Sequence, residues 1–89
     1  MAHVEFASSI QRHATIPPCQ VIAQTLSDAL DQAFVSHPAV RGYVLDDRGQ
    51  VRKHIAVFIN DQAIKDRTKL SDQLQPDDRV YVIQALSGG

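Results

Sequence analysis

Arg79-Val80-Tyr81-Val82-Ile83-Gln84-Ala85-Leu86-Ser87-Gly88-Gly89 closes the sequence. Within it, Val80, Tyr81, Val82 and Ile83 follow one another as β-branched and aromatic side chains, the most strand-like run in the chain. Alternation sends Val80 and Val82 to one face and Tyr81 and Ile83 to the other. The strand leads straight into small residues, an arrangement that holds a terminal carboxylate out from a rigid body. Glycine suits such a tail because, without a Cβ, it takes nearly any backbone geometry and lets a partner's walls close around it. The plain alternative is a frayed end, since chain termini are commonly loose. The expected organisation is one folded domain over residues 1–84 and a flexible tail over residues 85–89.

Upstream, Gln75-Pro76-Asp77-Asp78 reads as a turn into that strand. Residues 54–59 form another strand, with Ile55, Val57 and Ile59 on one face and Ala56 and Phe58 on the other, closed by an Asn60-Asp61 turn. Leu70 and Leu74 stand at helical spacing and suggest one short turn of helix. Asp46-Asp47-Arg48-Gly49 is a turn signature, with glycine free to take a positive φ.

The clearest local signal is Thr25-Leu26-Ser27-Asp28, a helix cap with a carboxylate three residues on. Leu26, Ala29, Leu30, Ala33 and Phe34 then recur as one apolar stripe, with Asp28, Asp31 and Gln32 on the wet face. Pro38 disfavours helical geometry at His37 and is expected to end the helix there. Near the amino terminus, Val4 and Phe6 alternate with His3 and Glu5, and residues 19–22 resume an extended pattern, so the two segments should pair antiparallel. The segment between them, residues 8–18, is polar and ends in Pro17-Pro18, and reads as a hairpin loop or irregular edge. One main helix on one face of a mixed sheet is an α+β two-layer domain, with the first and last strands parallel at its centre.

Composition agrees with an ordinary globule: 89 residues, 44% hydrophobic and 21% charged. A chain this short buries about 60–65% of its unfolded surface, enough for one modest core. Nine basic against ten acidic side chains, interspersed, give no footprint for nucleic acid. A single cysteine, Cys19, excludes an internal disulfide framework, and no apolar run reaches membrane-spanning length. With no basic and apolar leader at residues 1–6, cytoplasmic residence is the expectation.

The Thr25-Leu26 helix start, Phe58-Ile59-Asn60-Asp61, Pro76-Asp77-Asp78-Arg79-Val80 and Gln84-Ala85-Leu86-Ser87-Gly88-Gly89, in this order, resemble the MoaD/ThiS group of sulfur carriers within the ubiquitin-like β-grasp proteins. The segment of residues 41–50 is longer than the shortest carriers need. It is similar to longer members that supply sulfur to cysteine or other small metabolites. The resemblance implies that a ubiquitin-activating-like adenylyltransferase, using ATP and Mg, activates the Gly89 carboxylate. Sulfur from a persulfide or sulfide then displaces AMP, and a sulfur-accepting biosynthetic enzyme takes it from the resulting thiocarboxylate. Gly88, Ser87 and Leu86 would thread the tail into these partners. The chain has no Walker-type loop of its own. It is therefore expected to be a protein cosubstrate and not an enzyme, with no bound cofactor and no metal. The readings that compete are a small subunit of molybdopterin synthase, a protein modifier that forms isopeptide bonds, and a simple β-grasp interaction module.

Elsewhere, bland readings win. Cys19 shares a strand face with Val21 and reads as a small packed hydrophobe. His3, His13, His37 and His54 lack zinc-like spacing, and Asp46-Asp47 and Asp77-Asp78 are turn residues. Phe58, Tyr81 and Ile83 are the exception. An aromatic–aliphatic patch on the open sheet face, beside the tail, is the expected partner-binding surface.

Overall fold

The computed structural model describes residues 1–12 and 15–84. Its five-stranded sheet is built from β1 (Ala2–Phe6), β2 (Cys19–Val21), β3 (Ile55–Ile59), β4 (Gln62–Ala63) and β5 (Arg79–Gln84), in the order β2-β1-β5-β3-β4. β1 and β5 run parallel, in the register Val4↔Val80 and Phe6↔Val82, and the other pairings are antiparallel. The strand read first in the sequence is thus the central one, paired along both edges.

Helix α2 (Leu26–Phe34) lies on one face of this sheet. It starts where the sequence places it: the Thr25 hydroxyl accepts from the Asp28 amide at 3.2 Å, one of the orphan donors of the first turn. Its stripe of Leu26, Ala29, Leu30, Ala33 and Phe34 is wholly buried, in one cluster with Val4, Phe6, Val57, Val80 and Val82. Phe6 and Phe34 meet with ring centroids 5.7 Å apart. The helix ends earlier than expected, at Phe34. Pro38 does not terminate it but opens α3 (Pro38–Val44), where proline's missing N–H costs nothing. Val40 and Val44, one turn apart on α3, are both buried.

Two other expectations are corrected. The segment of residues 8–18 is not simply a loop: it begins with α1 (Ser8–Gln11) and sends Ile10 and Ile16 into the core. The Gln11 side chain folds it back, with Nε2 donating to the Ile16 carbonyl at 2.6 Å and Oε1 accepting from the Ile16 amide at 2.8 Å. Nor do Leu70 and Leu74 share a helical turn. The turn falls at residues 67–69, and Leu70 itself has φ +55°, a left-handed geometry that costs a branched side chain about 1–3 kcal/mol. Burial of Leu70 and Leu74 offsets that cost. So does the Asp66 carboxylate, which accepts from the amides of Thr68, Lys69 and Ser71 and from the Ser71 hydroxyl. The loop also fastens α2, because the Leu26 and Ser27 amides donate to the Asp72 and Leu70 carbonyls. Turns at Asn60 (φ +58°), Asp77 (φ +71°) and Gly49 (φ +77°) lie where the sequence marks them.

Candidate functional site

The site is built around the carboxyl-terminal end of β5. Burial along the strand alternates: Val80 and Val82 are fully buried, Tyr81 is 39% exposed, and Ile83 is half-buried. Antiparallel pairing sets Tyr81 opposite Phe58 and Ile83 opposite Ala56. The three side chains named from the sequence as a docking patch are therefore neighbours on the face away from α2, with Phe58 also half-buried. Gly89, Gly88, Ser87 and Leu86 lie outside the described residues, as does His13.

Where β5 ends, three polar contacts gather between residues that no local pattern pairs. A residue's N–H and C=O point to the same side of a strand, and the side alternates. Val82 faces β1, accepting from the Ala7 amide at 2.9 Å, so Gln84 faces that way too. By then β1 has ended at Phe6 and the chain has turned into α1. The Gln84 amide donates instead to the Ser9 hydroxyl of α1 at 3.1 Å. From the other flank, the Tyr43 hydroxyl of α3 donates to Oε1 of the Gln84 side chain. His54 packs edge-on against the Tyr43 ring, with centroids 5.3 Å apart. Ser9 falls in the segment of residues 8–18 that reads as a loop in the sequence, and no motif there marks Tyr43.

The remaining candidates are structural. Cys19 is half-buried against the core, and burial raises its thiol pKa, which keeps it protonated and a poor nucleophile. Asp46 takes the amides of Arg48 and Gln50, and the Gln50 bond chiefly holds its carboxyl below the usual range. Asp78 ties the last turn together, accepting from the Gln75 amide at 2.8 Å and from Asn60 Nδ2 at 3.0 Å. Among the described residues no three His, Cys, Asp or Glu side chains gather into a metal-binding group. No helix among them is long and apolar enough to cross a membrane.

The fold is shared with several solved structures. The small archaeal modifier protein 1 of Haloferax volcanii matches with TM-score 0.79 at 25% identity, over 99% of this chain and 98% of that one. CysO in the BexX/CysO complex of Amycolatopsis orientalis matches with TM-score 0.81 at 16% identity over the whole of both chains. CysO of Mycobacterium tuberculosis matches with TM-score 0.80 at 13% identity, over 97% of this chain and all of that one. No curated protein matches the sequence. The ThiS family model matches residues 18–89, most of the folded body together with Ser87-Gly88-Gly89. The chain belongs to the ThiS family and has the ubiquitin-like β-grasp fold of its sulfur carriers.

Proposed function

We propose that this protein carries sulfur as a thiocarboxylate on Gly89, with residues 1–84 as the docking body and residues 85–89 as the working tail. The observation that carries this reading is the reach of the family match, which runs through Gly88 and Gly89 instead of stopping with β5. A carboxylate is a poor electrophile and needs activation. In an adenylyltransferase partner, a Gly89 oxygen attacks the α-phosphorus of Mg-bound ATP, pyrophosphate leaves, and an acyl adenylate forms. Hydrosulfide then attacks the acyl carbon and AMP departs, giving the thiocarboxylate. With a persulfide as donor, the acyl disulfide formed is released by a second thiol, which ends in a disulfide. The chain acts as a protein cosubstrate in the cytoplasm and hands its sulfur to an enzyme making cysteine or another sulfur-containing metabolite. Phe58, Tyr81 and Ile83 give the partners a grip beside the tail.

Deleting Gly89 withdraws the carboxylate by about 3.3–3.6 Å, one extended residue. Misplacement by even about 1 Å can cost roughly 10²-fold in rate. The truncated protein should therefore neither drive ATP–pyrophosphate exchange with its cognate activating enzyme nor gain sulfur by intact mass, while folding as the parent does. Normal exchange and sulfur gain would remove Gly89 from the chemistry.

A second reading is favoured by the 25% identity to a small archaeal modifier protein: Gly89 joined to target lysines. Isopeptide-linked conjugates in place of free thiocarboxylate would select it. Co-purification with a molybdopterin synthase large subunit would select the small-subunit role instead.

A further inference from the structure

We propose that Ser9 and Tyr43 are positioning residues: together they clamp Gln84, so that the folded body ends at a fixed point and in a fixed direction where the sequence continues to Gly89. The inference rests on the carrier reading of Gly89. Its basis is the geometry at the end of β5, where the backbone and the side chain of one residue are each held from a different short helix.

The backbone half of the clamp replaces a missing strand. In the parallel register of β1 and β5, Phe6 stands beside Val82, so the partner due to Gln84 would lie at Ser8. The chain has already turned into α1 there, and a β5 amide without a partner would fray outward to find water. The Ser9 hydroxyl extends the ladder past the strand that formed it. Buried Ile10, the next residue, fixes α1 against the core. The side-chain half comes from Tyr43, on an α3 fastened by buried Val40 and Val44, with its ring braced by His54. Neither helix covers the Phe58–Tyr81 face, so the clamp and the docking patch can be varied separately.

Magnitudes separate two ways in which releasing Gln84 could matter. Freeing one or two residues lengthens a five-residue tail to six or seven. Effective concentration falls roughly as the −3/2 power of length, so that dilution costs less than about twofold. A larger loss requires that direction matters as well as reach, because in-line attack needs the carboxylate aligned.

The test uses Ser9→Ala, Tyr43→Phe and the double variant, with Ser9→Thr as the variant that restores a hydroxyl. In the free protein, hydrogen exchange at the Gln84 amide should quicken at least about tenfold in Ser9→Ala and recover in Ser9→Thr, with Val80 and Val82 protected as in the parent. In ATP–pyrophosphate exchange, the double variant should lose about three- to tenfold in kcat, with KM for the carrier unchanged because the docking patch is intact. An unchanged Gln84 amide in Ser9→Ala overturns the clamp. So does a double variant with kcat within twofold of the parent, or a loss carried by KM alone. A parent protein that drives no exchange overturns the carrier reading and the positioning role with it. A parent that does, beside variants that match it, overturns only the clamp.

Discussion

The two faces of β5 present one backbone to two environments. On the α2 side, Val80 and Val82 are fully buried, and on the other side Tyr81 is 39% exposed with Ile83 half-covered. The buried face is a closed problem, in which every side chain meets another of the same domain. The open face holds an aromatic and two aliphatic residues, Ala56 and Ile83, around Phe58, more apolar surface than the body covers by itself. If the proposed function holds, one face should answer to stability and the other to association, and single substitutions should separate the two.

The largest effect belongs to the closed face. Leu30→Ala removes a fully buried side chain and should cost about 2–5 kcal/mol. Against a total of about 5–15 kcal/mol this is a large share, visible as a lower denaturation midpoint. An unmoved midpoint would mean that α2 does not seal that face. Thr25→Ala leaves the Asp28 amide without its acceptor and should cost about 0.5–2 kcal/mol in the same measurement, with activation by the partner unaffected.

Asp66 gives the comparison a pH axis. Its pKa is lowered from 3.8 to about 2, first by the Lys69 amide and next by the Ser71 hydroxyl, with partial desolvation opposing. A group depressed in the folded state contributes stability that is complete above its unfolded value and lost as pH falls through its folded one. The loop that supports the start of α2 should thus weaken between about pH 4 and pH 2, and Asp66→Asn should flatten that limb of a Tm–pH curve. A parallel pair of curves would show that Asp66 does not contribute to the acid limb. On the open face, Tyr81→Ala should change stability by less than about 1 kcal/mol, the scale of a cross-strand pair. Its consequence should be weaker binding to the activating partner, measured by titration calorimetry, and Phe58→Ala should do the same. If both variants bind normally but unfold easily, the roles of the two faces are reversed.

What could be read in the sequence was whatever is encoded locally. Thr25 with Asp28 and the stripe from Leu26 to Phe34 declare α2 because cap and periodicity lie within one segment. β3 and β5 declare themselves by alternation, and Pro76-Asp77-Asp78 by turn chemistry. The missed elements are too short to show a period. α1 has four residues and β4 two, and each owes its existence to what it packs or pairs against. α3 carries a usable sign in Val40 and Val44, but Pro38 reads locally as a stop where the structure makes it a start. That Phe58, Tyr81 and Ile83 share one face followed from strand alternation alone. The contacts of Ser9 and Tyr43 with Gln84 could not, because they join residues far apart in the chain through side chains of no distinctive type.

The parallel pairing of β1 with β5 also sets a timetable for biosynthesis. β1 and β2 emerge first from the ribosome and can close their hairpin, but the inner edge of β1 has no partner until β5 arrives. Through most of translation that edge remains an open template for stray strands, the kind of exposure that invites misassembly. Because β5 sits between β1 and β3, the sheet joins into one unit only in its final step. The face that carries Phe58, Tyr81 and Ile83 is therefore complete only once β5 is in place, so any partner that reads this face meets only molecules that have already folded.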